Sequence, residues 1–344
     1  MRKIGILQTA FLGDTALASS MIDKINDLYG KDAEIHLIVK KGLEDLFKHD
    51  KRVHSIIAFD KRKTDKNLFG IIRTISRIRK LKLDVMFNLH RSLRSGIVTL
   101  FSGAKVRIGF KEAELSNLFT KRVKREGSHE VIKNHLLLEA FDPLFKKKRP
   151  EIKSKYKLFA PSKSPLDELN KITKEPYIVI APGSKWHTKR WKWESYAKLT
   201  EKLLATYNHE IIFTGDKDDK TIINNIIEKI KNEKHKNRIV NLADKLNIPN
   251  LMFIISKASL VITNDSAPQH LAVGLDVPVV AIFGPTVRNL GYYPFSDHAV
   301  VVEAHEVKCR PCGTHGHMKC PKKDHSCMNS IKEESVYNAV TKLL

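Results

Sequence analysis

Short apolar, β-branched runs recur along the whole chain, each followed by a helix-length segment in which apolar positions return every three or four residues. In the first half the runs are KIGIL (3–7), EIHLIV (34–39), VHSIIAF (53–59), DVMFNL (84–89) and VRIGF (106–110). In the second they are YIVIA (177–181), EIIFT (210–214), RIVNL (238–242), LVIT (260–263), VVAIF (279–283) and AVVVE (299–303). Continuous runs, as opposed to strict alternation, suit strands covered on both faces, so the pattern predicts an α/β protein with two doubly wound parallel sheets. The stretch 146–176 is rich in Lys, Pro and Ser and has no sustained apolar period, which sets the expected domains at 1–160 and 161–328. The last segment, 329–344, reads as a helix with Ile331, Val336, Val340, Leu343 and Leu344 on one face, expected to pack back on the N-terminal domain. A ligand is expected in a central cleft that both domains face, at the carboxyl ends of their strands.

Three strand-to-loop junctions carry candidate chemistry. FLGDTALASS (11–20) follows the first strand with one glycine, Gly13, and lacks both the P-loop pattern and the three-glycine dinucleotide fingerprint. Asp14 there is either a cap for a helix beginning near Thr15 or a carboxylate that stays ionised at a helix N-terminus and acts as a base, and one side chain can do both. In APGSKWHTKRWKW (181–193), Pro182-Gly183-Ser184 allows a close backbone turn around an anion, with Lys185, Lys189 and Arg190 as cations; Lys189 suits a diphosphate, and Trp191 and Trp193 read as core. In ITNDSAPQHLAVGLDVPVVAIFGPT (262–286), the amides of Ser266 and Ala267 at a helix start can hold phosphate oxygens while Asp265 accepts sugar hydroxyls. The plainer alternative is an Asx-type cap with His270 as an inward, satisfied histidine.

Composition narrows the class. With 42% hydrophobic and 29% charged residues over 344 positions, the chain reads as a soluble globular protein rather than a disordered one. No apolar stretch has the length of roughly 20 residues that spans a bilayer, and no signal-peptide core follows Met1, so the expected location is cytoplasmic. The net charge is +23, with 32 Lys/Arg against 17 Asp/Glu in residues 1–150. That excess is either a solvated lysine-rich surface or a sign of an anionic partner such as a phosphorylated glycan, a membrane surface or nucleic acid. Nucleic acid is disfavoured because no aromatic-interleaved basic stripe or recognition motif is present.

NDSAPQHLAVGLDVPVVAIFGPT, together with PGSKWHTKRW and the early LGD, resembles glycosyltransferase family 9, the ADP-heptose:lipopolysaccharide heptosyltransferases. The resemblance implies a GT-B architecture of two Rossmann-like domains, the first binding the acceptor and the second the nucleotide sugar. It also implies a metal-independent inverting transfer at the cytoplasmic face of the inner membrane. It makes Asp14 the base, with Lys189 and Ser184 on the donor diphosphate, Asp265 on the transferred sugar, and Ser266 and Ala267 on the phosphates, with Gly13 and His270 also in the donor set. NLHRSLRSG (88–96) makes Arg91 and Arg94 candidates for an anionic inner-core acceptor, or else surface arginines on a helix. The acidic residue expected at the nucleoside falls in GDKDDK, where Asp216, Asp218 and Asp219 all qualify. Other sugars or acceptors, and a relative without catalysis, are the competing readings.

All four cysteines, Cys309, Cys312, Cys320 and Cys327, lie in one His-rich tract (305–328). CxxC followed by two further cysteines suits a structural Zn²⁺, a redox-labile disulfide or plain thiols, and the resemblance implies no catalytic part for it.

Overall fold

Every apolar run named above is a strand in the computed structural model of the protein, which describes residues 1–61, 65, 67–147, 156–164 and 166–344. Contacts divide the chain into two compact units, Met1–Phe159 and Ala160–Leu344. Of the Lys-rich boundary stretch, residues 148–155 and 165 lie outside the described residues.

The first unit runs β1 (Arg2–Gln8), α1 (Leu12–Leu17), α2 (Ser19–Tyr29), β2 (Ala33–Lys40), β3 (Val53–Phe59), α3 (Leu68–Arg79), β4 (Val85–Asn88), α4 (Leu93–Leu100), β5 (Val106–Phe110), β6 (Lys121–Val123), α5 (Glu130–Phe141) and α6 (Leu144–Lys147). Its strands pair in parallel in the order β3-β2-β1-β4-β5-β6, with Ile4 opposite both Ile35 and Val85. The second unit runs α7 (Asp167–Ile172), β7 (Tyr177–Ala181), α8 (Trp193–Thr206), β8 (Glu210–Phe213), α9 (Lys220–Lys229), α10 (Glu233–Lys236), β9 (Ile239–Asn241), α11 (Ile248–Lys257), β10 (Leu260–Asn264), α12 (Ala267–Gly274), β11 (Val279–Phe283), β12 (Ala299–Glu303), α13 (Ser326–Asn329) and α14 (Glu333–Thr341). Its order, β12-β11-β10-β7-β8-β9, repeats that of the first, and Ile262 lies between Ile180 and Val280. The two doubly wound, Rossmann-like units expected from the pattern are therefore present. Central strands are buried along their whole length, as Tyr177–Ala181 and Val279–Phe283 are, which is why their sequences are unbroken apolar runs.

β6 escapes the pattern because it is a three-residue edge strand, Lys-Arg-Val, with only Val123 turned partly inward. α14 has neighbours within the second unit. Its Val336, Ala339 and Val340 belong to the second unit's own hydrophobic core, and its first turn is tied to α8 through Glu333, which accepts from Ser195 Oγ (3.3 Å) and lies 3.0 Å from Lys198. Periodicity identified the apolar face but not the neighbour that takes it.

In sheets of this order, the order of successive strands changes sense between β1 and β4, and between β7 and β10, while all strands stay parallel, and the crevice outside the carboxyl ends of those strands is where ligands bind. The three junctions singled out above leave β1, β7 and β10. No helix among the described residues is long and apolar enough to cross a membrane.

Ending the chain at residue 332 should uncover the α8 face that α14 buries. The expected outcome is that limited proteolysis in denaturant cuts the second unit at lower concentration than in the full chain while the first unit persists; equal resistance of the second unit would show that α14 contributes nothing to it.

Candidate active site

On the first unit, Asp14 enters a helix that begins earlier than expected. α1 starts at Leu12 with Phe11 as its N-cap, so Asp14 is the third helical residue and not a cap ahead of Thr15. Its Oδ2 accepts the Phe11 N–H at 3.3 Å, one half of a capping box that the phenyl ring cannot complete. Burial pushes the carboxyl up to about 6, opposed by that backbone N–H and reinforced by nearby Glu130; Arg125 pulls it down. At neutral pH it is still mostly ionised, but poised close to the working range of a base. Gly13 occupies an ordinary helical position beside it, on this unit and not among the second-unit residues grouped with it from the sequence.

Arg91 and Arg94 bracket the start of α4. Arg91 is exposed, while Arg94 donates to the Lys61 carbonyl at 2.7 Å. Lys61, which the sequence pattern does not single out, reaches His90 Nδ1 (3.3 Å), Ser92 Oγ (3.4 Å) and Ser95 Oγ (3.3 Å), all neutral groups. Burial, with Arg94 and Lys40 nearby, lowers its ammonium to about 8; burial, with Lys61 and Arg91, lowers His90 to about 4. The carboxyl edge of the first sheet thus gathers cations whose mutual repulsion an anion would relieve. Only its place two residues past the end of β3 could have marked Lys61 in advance.

On the second unit, Lys189 and Asp265 meet. Lys189 Nζ donates to Asp265 Oδ2 at 2.6 Å, and Thr286 Oγ1 donates to the same oxygen at 2.6 Å. Gln269 Nε2 donates to Oδ1 at 2.9 Å and to the Tyr292 carbonyl at 3.1 Å. Both charged residues are buried, so β7's loop cation is neutralised by β10's loop carboxylate inside the protein. His270 is buried alongside and held neutral, its pKa lowered to about 4 mainly by burial. Ser266 is the N-cap of α12 by position, but its hydroxyl turns to Thr263 Oγ1 (3.1 Å) and no side chain caps the first turn, which leaves the Asx-type cap unmade. Helix N-terminal amides near Ser266 and Ala267 are a natural anion site.

Asn264, polar at the end of an apolar strand, fixes the loop that carries Ser184 and Lys189. Its Oδ1 accepts from Trp191 N–H and Tyr196 O–H, both at 3.1 Å, and its Nδ2 donates to the Pro182 carbonyl at 2.7 Å. Arg190 braces the same loop by donating through Nε to the Ser184 carbonyl (2.8 Å) and lying 3.3 Å from Asp219. The three acidic candidates separate: Asp216 and Asp218 are exposed, with Asp216 capping a short 3-10 turn, whereas Asp219 is buried against Gly183. A Cβ on Gly183 would sit 2.1 Å from the Asp219 carboxylate, so only glycine fits there.

The cysteine tract is structural. Thr188, next to Lys189, bonds His317 both ways: its N–H and Oγ1 reach the His317 carbonyl (3.1 and 2.9 Å) and the His317 N–H reaches Oγ1 (2.8 Å). Arg310 donates to the Thr286 carbonyl at 2.6 Å, and the Cys312 N–H to the Pro285 carbonyl at 2.8 Å. The tract therefore clasps both loops whose side chains meet at Asp265. The expected zinc is not supported: among the described residues no group of three or more His, Cys, Asp or Glu is arranged to hold a metal ion, and all four cysteines are free thiols. Burial, then the neighbouring thiols, raises Cys312 and pushes Cys327 up to about 11, keeping both protonated.

The sequence matches the model of glycosyltransferase family 9 (heptosyltransferase) over residues 71–322. It is 28% identical to a lipooligosaccharide heptosyltransferase 2 of Campylobacter jejuni, covering 99% of this chain and 98% of that one. Among solved structures it is similar to a family 9 glycosyltransferase of Veillonella parvula (TM-score 0.84, 18% identity, 99% and 97% coverage). It is also similar to the ADP-heptose lipopolysaccharide heptosyltransferase II of Escherichia coli (TM-score 0.79, 20% identity, 100% and 98% coverage).

Replacing Lys189 with Met strands the Asp265 carboxylate in a buried position, and chemical denaturation should report a loss of about 3 kcal/mol. Adding Asp265→Asn to that variant should recover most of the loss; no recovery would mean that the two side chains act independently. Gly316 has φ +75°, and a Cβ there would lie 2.7 Å from Thr188 Oγ1. Gly316→Ala should therefore loosen the Lys189 turn, seen as faster amide exchange at residues 187–190, while unchanged exchange would separate the tract from that loop.

Proposed function

The chain belongs to glycosyltransferase family 9, the heptosyltransferases, and from that premise we propose that it transfers a heptose from ADP-heptose to an anionic inner-core saccharide of lipopolysaccharide, with inversion at the anomeric carbon. The observation that carries this reading is the buried Lys189–Asp265 pair at the carboxyl ends of β7 and β10, beside the uncapped start of α12. Lys189, Ser184 and the α12 amides near Ser266 and Ala267 suit a diphosphate; Asp265, with two donors on Oδ2 and one on Oδ1, keeps acceptor capacity for a sugar hydroxyl presented close to it. The relatives' names supply the donor and the acceptor class: ADP-heptose and lipopolysaccharide for the E. coli protein, lipooligosaccharide for the C. jejuni one.

Chemistry follows from where charge develops. As the bond from the anomeric carbon to the diphosphate lengthens, negative charge grows on the leaving phosphate, where Lys189 and helix N-terminal amides stabilise it. Asp14 takes the proton of the acceptor hydroxyl, which attacks from the opposite face. Lys61, Arg91 and Arg94 receive the acceptor's anionic groups; the two arginines alone were expected from sequence, and Lys61 joins them because its hydrogen-bond partners among the described residues are neutral.

A panel of nucleotide sugars incubated with delipidated inner-core acceptors, read by product mass, tests the assignment. A heptose adduct from ADP-heptose is expected; an adduct only from another sugar, or on another acceptor, would replace it. Asp14→Asn should lower kcat on the order of 10²-fold or more. In the wild type kcat/KM should rise with pH through about 6 as Asp14 ionises. The folded pKa lies above the ordinary 3.8, so Asp14 favours the fold most at low pH and loses that contribution as pH rises through about 6. Asp14→Asn should accordingly be no less stable at neutral pH, whereas a purely capping role predicts lower stability with turnover intact.

A further inference from the structure

α3 buries one side of itself and leaves another apolar. Ile71, Thr74 and Ile78 face the first unit's core, whereas Leu68, Phe69 and Ile72 are 68%, 81% and 52% exposed, and Leu93 in the first turn of α4 is 51% exposed. Monomeric proteins seldom leave such side chains clustered in water. The exposed side of α3 also carries Arg73, Arg77, Arg79 and Lys80, and residues 67–82 contain no acidic residue. Among the described residues, Arg73 is the one of these four with an ion pair, to Asp65 at 2.6 Å. An apolar stripe bordered by uncompensated cations matches the two layers of a membrane surface, acyl boundary and anionic headgroup.

We propose that this face of α3 and α4 docks the protein on an anionic phospholipid bilayer, with Leu68, Phe69, Ile72 and Leu93 entering the interface and Arg77, Arg79 and Lys80 on headgroup phosphates. The inference rests on the reading above, in which the acceptor is lipid-linked. The first turns of α3 and α4 lie at the carboxyl edge of the first sheet, the edge that also carries Asp14, so docking there brings the lipid surface to the acceptor side of that unit. A second copy of the chain is the poorer occupant. Face-to-face pairing would set arginines against arginines with no carboxylate between them, and four side chains fall well short of the roughly 800 Å² per partner of a stable interface.

The test is cosedimentation of the full chain with vesicles of phosphatidylethanolamine containing about a quarter phosphatidylglycerol, against neutral phosphatidylcholine vesicles. Binding to the anionic vesicles alone is expected, weakening as salt rises from about 0.1 to about 0.5 M. Phe69→Ser/Ile72→Ser and, separately, Arg77→Glu/Lys80→Glu should each reduce partitioning about tenfold or more. Both variants should keep wild-type circular dichroism and transfer to a delipidated acceptor. Wild-type partitioning by both folded variants, or equal binding to neutral vesicles, would overturn the proposal. So would a dimer in sedimentation velocity that the Phe69→Ser/Ile72→Ser variant turns into a monomer. Vesicle binding is read without any reaction, so a protein that binds but transfers no heptose refutes the proposed activity and leaves the docking surface standing.

Discussion

The second unit's site depends on burying a lysine and an aspartate together. Either charge alone would be costly in that position, and the pair is tolerable because Asp265 receives three donors, from Lys189, Thr286 and Gln269, in one carboxylate. A buried ion pair adds little net stability over a well-packed apolar alternative, so its physical consequence is geometric. It fixes the tip of the β7 loop against the tip of the β10 loop to within a hydrogen bond. Around it, Asn264 pins the Pro182 carbonyl, Arg190 pins the Ser184 carbonyl, and Thr188 is held by the tract that also grips Thr286. Electrostatic preorganisation of this kind is most effective when the groups are locked before the charge they serve appears.

The two units use one strand order for different chemistry. The first gathers cations and one poised carboxylate at its carboxyl edge; the second gathers a neutralised pair and a helix start. In the proposed reaction that division is meaningful, since the acceptor must lose a proton and the donor must leave as an anion. In that proposed reaction a diphosphate approaching Lys189 would compete with Asp265 for the same ammonium, so donor binding would exchange one ion pair for another instead of filling an empty cation site.

Much of this was legible in the chain. Unbroken apolar runs such as YIVIA and VVAIF mark strands buried on both faces, and the junction motifs fall where β1, β7 and β10 end. Other features depend on information that no local pattern holds. α1 begins at Leu12 because the backbone turns at Phe11, a residue with no capping side chain, so nothing polar announces the start. That Lys189 and Asp265 partner each other, and that Asp219 rather than Asp216 or Asp218 packs on Gly183, are consequences of which loops the sheet order makes neighbours. The face of α14 could be read but not its partner, and cysteine spacing suggested a metal where the tract instead works as a clasp through His317, Gly316 and Arg310.

In the proposed reaction Lys189 is held by Asp265 until a diphosphate takes it. Calorimetric titration of ADP into the wild type, Lys189→Met and Asp265→Asn proteins addresses that claim directly. It predicts that Lys189→Met weakens binding by about tenfold or more, the cost of one charge-assisted contact, while Asp265→Asn binds as tightly as the wild type or tighter because the competing carboxylate charge is gone. Equal affinity of Lys189→Met and wild type, or a loss in Asp265→Asn as large as that in Lys189→Met, would contradict it.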